Sequence, residues 1–181
     1  MMAFRESLAA PVTAADPPSA EPPSAPSHLD AEGRARMVDV GDKAVTRREA
    51  VAEAWVRFPA AVFARVLAGD LPKGGLVETA RLAGVQAAKR TAELVPLCHL
   101  LPLDAVDVEV APDPDGAPRL RVRCTARATA RTGVEMEALV GASLAALTLY
   151  DMTKALDHGI VVEGVRLVRK SGGKSGTWRA Q

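Results

Sequence analysis

The chain has 181 residues and a formal net charge of +1, and only 3% of its residues are aromatic. So small a charge predicts no bulk attraction to nucleic acid, and so few rings leave little for bases to stack on. No stretch approaches the ~18 consecutive apolar residues of a membrane-spanning helix, so neither nucleic acid nor a membrane is an expected partner.

Residues 1–26 hold six of the 13 prolines, as in Asp16-Pro17-Pro18-Ser19-Ala20-Glu21-Pro22-Pro23. Without apolar periodicity this segment cannot bury enough surface to offset ordering its backbone, which predicts disorder. It has no unbroken apolar run of roughly 7–15 residues after a basic start, as a secretory signal would, and its acids Glu6, Asp16 and Glu21 are unlike a mitochondrial presequence. Cys98 and Cys124 are therefore expected as free thiols in a reducing cytoplasm. Residues 27–181 are expected to form one domain of 155 residues, enough for a substantial core.

The first element is ambiguous over Arg47–Phe58. Thr46-x-x-Glu49 fits a helix capping box, whereas Ala50, Ala52, Ala54, Val56 and Phe58 alternate as in a half-buried strand. Pro59 decides for the strand, because the residue before proline avoids the helical region and proline suits a first helical turn. A short helix then runs from Pro59 to Leu67 and closes at Gly69. Leu76–Leu94 is the next predicted helix, with Val77, Ala80, Gly84, Ala87, Thr91 and Leu94 forming a narrow stripe for close packing; Pro96 ends it. Ala105–Val110 and Leu120–Ala128 read as antiparallel strands around the turn Pro112–Gly116. A long helix from Val134 to Leu156 follows, with Gly159 just past its end. Ile160–Lys170 returns as a strand broken by Gly164. The order is that of a split β-α-β-β-α-β domain: α+β, ferredoxin-like, an antiparallel sheet with helices packed on one face.

Several segments carry groups capable of chemistry. Cys98-His99 admits a zinc site, a buried structural histidine, or a histidine that titrates near neutrality and donates to a substrate; neighbouring side chains rarely turn to one metal, and no C-x₂-C or H-x₃-H partner accompanies them. Glu135 stands three residues after Thr132, as the second half of a capping box would. Glu137 is either a solvated first-turn acid favoured by the helix dipole or a functional group. Asp151 and Lys154 share a helix face at i, i+3, as a surface ion pair or as an acid/base pair tuning each other. Fourteen residues separate Glu137 from Asp151, placing them on nearly one face of the helix but roughly 21 Å apart. Both cannot touch one small substrate from one chain, so either the substrate is long or the pocket combines two chains.

Cations recur at Arg48, Lys73, Lys89, Arg90, Lys154, Lys170 and Lys174, which suggests local binding of a polyanionic small molecule. The terminal Lys170-Ser171-Gly172-Gly173-Lys174-Ser175-Gly176 falls short of a nucleotide-binding loop, since Val168 occupies the first glycine position and no helix follows. It reads as a flexible anion clamp or as a frayed polar terminus.

Together these segments resemble the cyclic pyranopterin monophosphate synthase family, the MoaC proteins of molybdenum cofactor biosynthesis. The resemblance rests on Met37-Val38-Asp39-Val40, Arg48-Glu49-Ala50, Thr79–Thr91, Pro96–His99, Thr132–Leu139, Tyr150–Ala155 and the terminal glycine-lysine run, in order over residues 28–176. It implies a lyase that converts 3′,8-cyclo-7,8-dihydroguanosine 5′-triphosphate to cyclic pyranopterin monophosphate and releases pyrophosphate. It also implies a homohexamer of three dimers with sites at dimer interfaces, and neither a metal nor another cofactor. By the family pattern Asp151 is the catalytic acid/base, beside Lys73 and Lys154. Leu97, Cys98, His99, Met136 and Glu137 line the substrate pocket, and Arg48, Lys170 and Lys174 contact the triphosphate. The Pro-rich N-terminal extension departs from the family. A non-catalytic nucleotide-binding module and a zinc-dependent hydrolase using His99 and the glutamates are the rival readings.

Overall fold

The structure, a computed structural model, describes residues 29–30 and 32–181; the expected disorder of residues 1–26 lies outside them. The chain divides into two units, Met1–Arg36 and Met37–Gln181. Among its described residues the first contains a small turn, bridged from Leu29 to Ala35 and tied by Asp30, whose side chain accepts the N–H groups of Glu32 and Arg34.

The second unit contains, in order, β1 (Thr46–Arg57), α1 (Ala60–Ala68), α2 (Leu76–Lys89), α3 (Thr91–Leu94), β2 (Ala105–Pro112), β3 (Arg119–Ala130), α4 (Glu135–Thr153), β4 (Val161–Ser171) and β5 (Trp178–Arg179). The strands form one sheet in the order β2-β3-β1-β4-β5, every neighbour antiparallel. The first four strands are thus interleaved as the ferredoxin-like reading requires, and β5 is an addition that two residues offer too little pattern to announce.

β1 is the central strand, and every second residue from Ala50 to Val56 turns to one buried face. Ala50, Ala52, Ala54 and Val56 are wholly buried, as are Val122, Cys124, Ala126 and Ala128 beside them on β3. A strand points successive side chains to opposite faces, so Glu49 and Glu53 turn to the other side. There Glu53 pairs with Arg123 at 2.9 Å and Arg166 at 3.5 Å, and Glu49 pairs with Arg127 and Arg169. The break expected at Gly164 is only a bulge: β4 runs through it as one strand, with φ of +63° there and a β1–β4 register slip between Glu53 and Trp55.

The long helix α4 lies on the sheet with α2 against it. They cross where both are bare, since a Cβ on Gly84 would sit 2.9 Å from the Gly141 carbonyl oxygen, and one on Gly141 only 2.6 Å from Cys124 Sγ. Three sequence expectations need correction here. The helix drawn over Leu76–Leu94 breaks at Arg90 (φ −109°, ψ 13°), where the Thr91 hydroxyl turns back to the Ala88 carbonyl at 2.9 Å. Val77 and Leu94, expected in the packed stripe, are exposed; Leu76 and Ala88 are buried instead. Finally, α4 ends at Thr153, whose hydroxyl takes up the Leu149 carbonyl, and Gly159 supplies no left-handed cap.

Candidate active site

Both ends of α4 carry chemistry. At its C-terminal end Asp151 stands between two amines. Lys154 Nζ lies 2.7 Å from one carboxylate oxygen, and Lys73 Nζ lies 3.5 Å from the other. Lys154 arrives by the i, i+3 spacing. Lys73 arrives from the loop joining α1 to α2, which Gly75 (φ +68°) turns into the start of α2. All three side chains are about half exposed. The hydrogen bond from Lys154, then its charge and that of Lys73, hold the Asp151 carboxyl below the usual range; Asp151 in turn pushes the Lys154 amine up. The Asp151 carboxylate thus stands between two lysine side chains. Together they offer a proton acceptor and proton donors within one small patch.

At the N-terminal end the arrangement is denser. Glu137 is only 4% exposed, so the solvated-acid reading fails. Burial raises its carboxyl pKa and the charge of Glu135 adds to the shift. Cys98 is half-buried, and its thiol is pushed up by burial and then by the charge of Glu137, which puts the Pro96–His99 segment beside the helix start. His99 is half-buried with Nε2 at 2.8 Å from the Val38 carbonyl oxygen. Leu97 is half-buried, whereas Met136 is exposed. Among the described residues no three His, Cys, Asp or Glu side chains gather as metal ligands would.

Next to this lies a cavity of about 370 Å³ between the start of β1, the β3–α4 loop and the end of β4. Arg48, Lys170 and Lys174, three separate sequence candidates, share its wall with Lys43 and Arg131. Those five cations face two lining carboxylates, Glu49 and Glu135, and Glu49 is already engaged on the sheet by Arg127. Arg48 is held by the Ala130 and Arg131 carbonyls at 3.4 and 3.3 Å. The glycines of the terminal run are needed for this crossing: Gly172 and Gly173 have φ of +101° and +70°, and a Cβ on either would collide with the Arg47 carbonyl or the Arg48 guanidinium.

Glu135 corrects the capping-box expectation. The residue before α4 is Val134, with no side-chain cap, and Glu135 instead accepts from Lys170 Nζ at 3.0 Å. Lys43 and Arg131 were missed as candidates; a lone lysine and an arginine beside a recognised block gave no signal until the fold brought them together. The sequence candidates thus fall into two groups, Lys73, Asp151 and Lys154 at one end of α4 and the remaining eight near the other. With ~1.5 Å rise per residue, the 14 residues from Glu137 to Asp151 hold the groups about 21 Å apart.

An α+β domain with paired carboxylate and amines at one point and a cation-lined cavity at another has the makings of an enzyme for a small anionic substrate. Among its described residues no helix is long and apolar enough to cross a membrane. The model of the MoaC family matches residues 37–173, and the chain belongs to that family. A relative from Chloroflexus aggregans is 54% identical over 155 residues, covering 86% of this chain and 93% of its own length. One from a Nostoc species is 55% identical over 152 residues, covering 84% and 90%, and one from Herpetosiphon aurantiacus is 55% identical over 153, covering 84% and 93%. All three bear the name cyclic pyranopterin monophosphate synthase.

Proposed function

We propose that this protein is a cyclic pyranopterin monophosphate synthase, rearranging 3′,8-cyclo-7,8-dihydroguanosine 5′-triphosphate to cyclic pyranopterin monophosphate with loss of pyrophosphate. The observation that carries the reading is the meeting of Arg48 with Lys170 and Lys174, from the opposite end of the domain, in one cavity. Expelling pyrophosphate builds charge on the leaving group, and cations already in position stabilise it without reorganising. Ring opening and reclosure move several protons, which asks for acids and bases with separated pKa values. Asp151, held as a carboxylate, and Lys154, held as an ammonium group, supply such a pair with Lys73 beside them, and His99 and Glu137 bind the substrate's pterin-forming end.

The 21 Å between the two groups makes one chain insufficient for one small substrate. The working site therefore takes Lys73, Asp151 and Lys154 from one protomer and the cavity with His99 and Glu137 from its partner, within a hexamer built of three dimers. The rigidity of α4 supports this reading, since a helix cannot fold back to bring its ends together. Incubation with the cyclised substrate tests the activity. Pyrophosphate and the fluorescent oxidised pterin are expected in equal amounts. Tight binding without either product would make the protein a binding module.

A further inference from the structure

The block Met37-Val38-Asp39-Val40 has no part in the chemistry above, yet it lies against the site. The chain from residue 37 to 43 precedes β1 and is neither helix nor strand. It is nevertheless fastened at both ends. The Val38 carbonyl oxygen lies 2.8 Å from His99 Nε2. Three residues on, an Arg131 guanidinium N–H donates to the Gly41 carbonyl. Between these anchors the Gly41 N–H donates to Asp39 Oδ1 at 2.8 Å, and just past them the Lys43 N–H donates to the Val40 carbonyl at 3.1 Å. Lys43, at the far end, lines the cation cavity.

We infer that residues 37–43 are a positioning strap that assigns the two nitrogens of His99 different tasks, with Nε2 tied to Val38 and Nδ1 left to exchange a proton with the substrate. A carbonyl oxygen can only accept, so Nε2 carries a hydrogen in both charge states of the ring. The bond made by one imidazole nitrogen decides the state of the other. Nδ1 has no protein partner among the described residues. A proton taken by Nδ1 gives the imidazolium, whose Nε2–H stays on Val38; returning it to substrate restores the neutral ring. Asp39 and Arg131 act through the strap: one shapes its turn, and the other pins it to the end of β3. This role rests on the reading in which His99 meets the substrate, whereas the tautomer is a property of the protein alone.

The test is ¹⁵N NMR of the imidazole rings in the full-length protein, with His99 identified by its loss in His99→Gln. The neutral ring is expected as the single Nε2–H tautomer. Asp39→Ala should give a mixture of tautomers and lower kcat on the order of tenfold with KM little changed, whereas Asp39→Asn, which keeps the accepting oxygen, should restore both. Should Asp39→Ala not fold, Arg131→Ala against Arg131→Lys reads the same tautomer shift. A wild-type Nδ1–H tautomer, or a tautomer indifferent to these changes, overturns the strap. The expected tautomer in a protein that gives no product would leave the strap standing and sink the activity instead.

Discussion

The two ends of α4 carry similar side chains in opposite circumstances. At the C-terminal end Asp151, Lys73 and Lys154 are about half exposed and, among the described residues, pair with one another. At the N-terminal end four groups are fastened to the fold: Arg48 to two carbonyls, Lys170 to Glu135, His99 to Val38, and Glu137 buried outright. Exposed ion pairs contribute little to stability, so the fold does not need the C-terminal trio. A cluster that the fold does not need, yet arranges around one carboxylate, fits a duty toward something not in the chain. The fastened end has the character of a prepared receptor, and the exposed end that of a reagent awaiting cover.

The comparison breaks most sharply by removing the reagent. Asp151→Ala or Lys73→Ala is expected to lower turnover by about 10³-fold or more while elution volume and Tm hold; near-wild-type rates in either variant would make the trio ornamental. Weakening the receptor should act on binding first. Lys170→Ala with Lys174→Ala is expected to raise KM for the cyclised substrate about 10–100-fold, the range of one or two lost charged contacts. Unchanged affinity would return the terminal run to a solvated tail.

The spacer between the ends is open to a stability test. Gly141→Ala places a methyl group against Cys124 where α4 seats on the sheet, and should cost about 1–3 kcal/mol by chemical denaturation. The smallest effect is electrostatic. Burial raises the Glu137 carboxyl above its unfolded value, so the folded state holds that proton more readily. Its contribution is present at low pH and is lost as pH rises through the folded pKa. Glu137→Gln should therefore raise Tm at neutral pH, and the gain should shrink on acidification. A gain that grows on acidification would contradict the buried, raised carboxyl.

Much of this was legible in the residues because the governing rules are local. The alternation of Ala50 to Phe58, the proline at 59 and the i, i+3 spacing of Asp151 and Lys154 each specify geometry within one element, and the order of elements selects the sheet. The misreadings arise where distant parts compete for a residue. Thr132 and Glu135 have the spacing of a capping box, yet Lys170, 35 residues on, takes the carboxylate. The helix break at Arg90 depends on a threonine hydroxyl competing with the backbone ladder, and Thr91 alone is a weak signal. Lys43 and Arg131 join the cavity only through the β1–β3 pairing, which runs Thr46 beside Ala130. No local pattern announces them.

The central claim is that the two ends of α4 work as one site across two protomers. Mixing tests it directly: an inactive Asp151→Ala protein and an inactive His99→Ala protein are unfolded, combined in equal amounts and refolded together. If each site draws one group from each chain, about a quarter of the sites are restored with both native halves, and activity should return toward that fraction of wild type. A mixture as inactive as its components would contradict the account and confine the chemistry to a single chain.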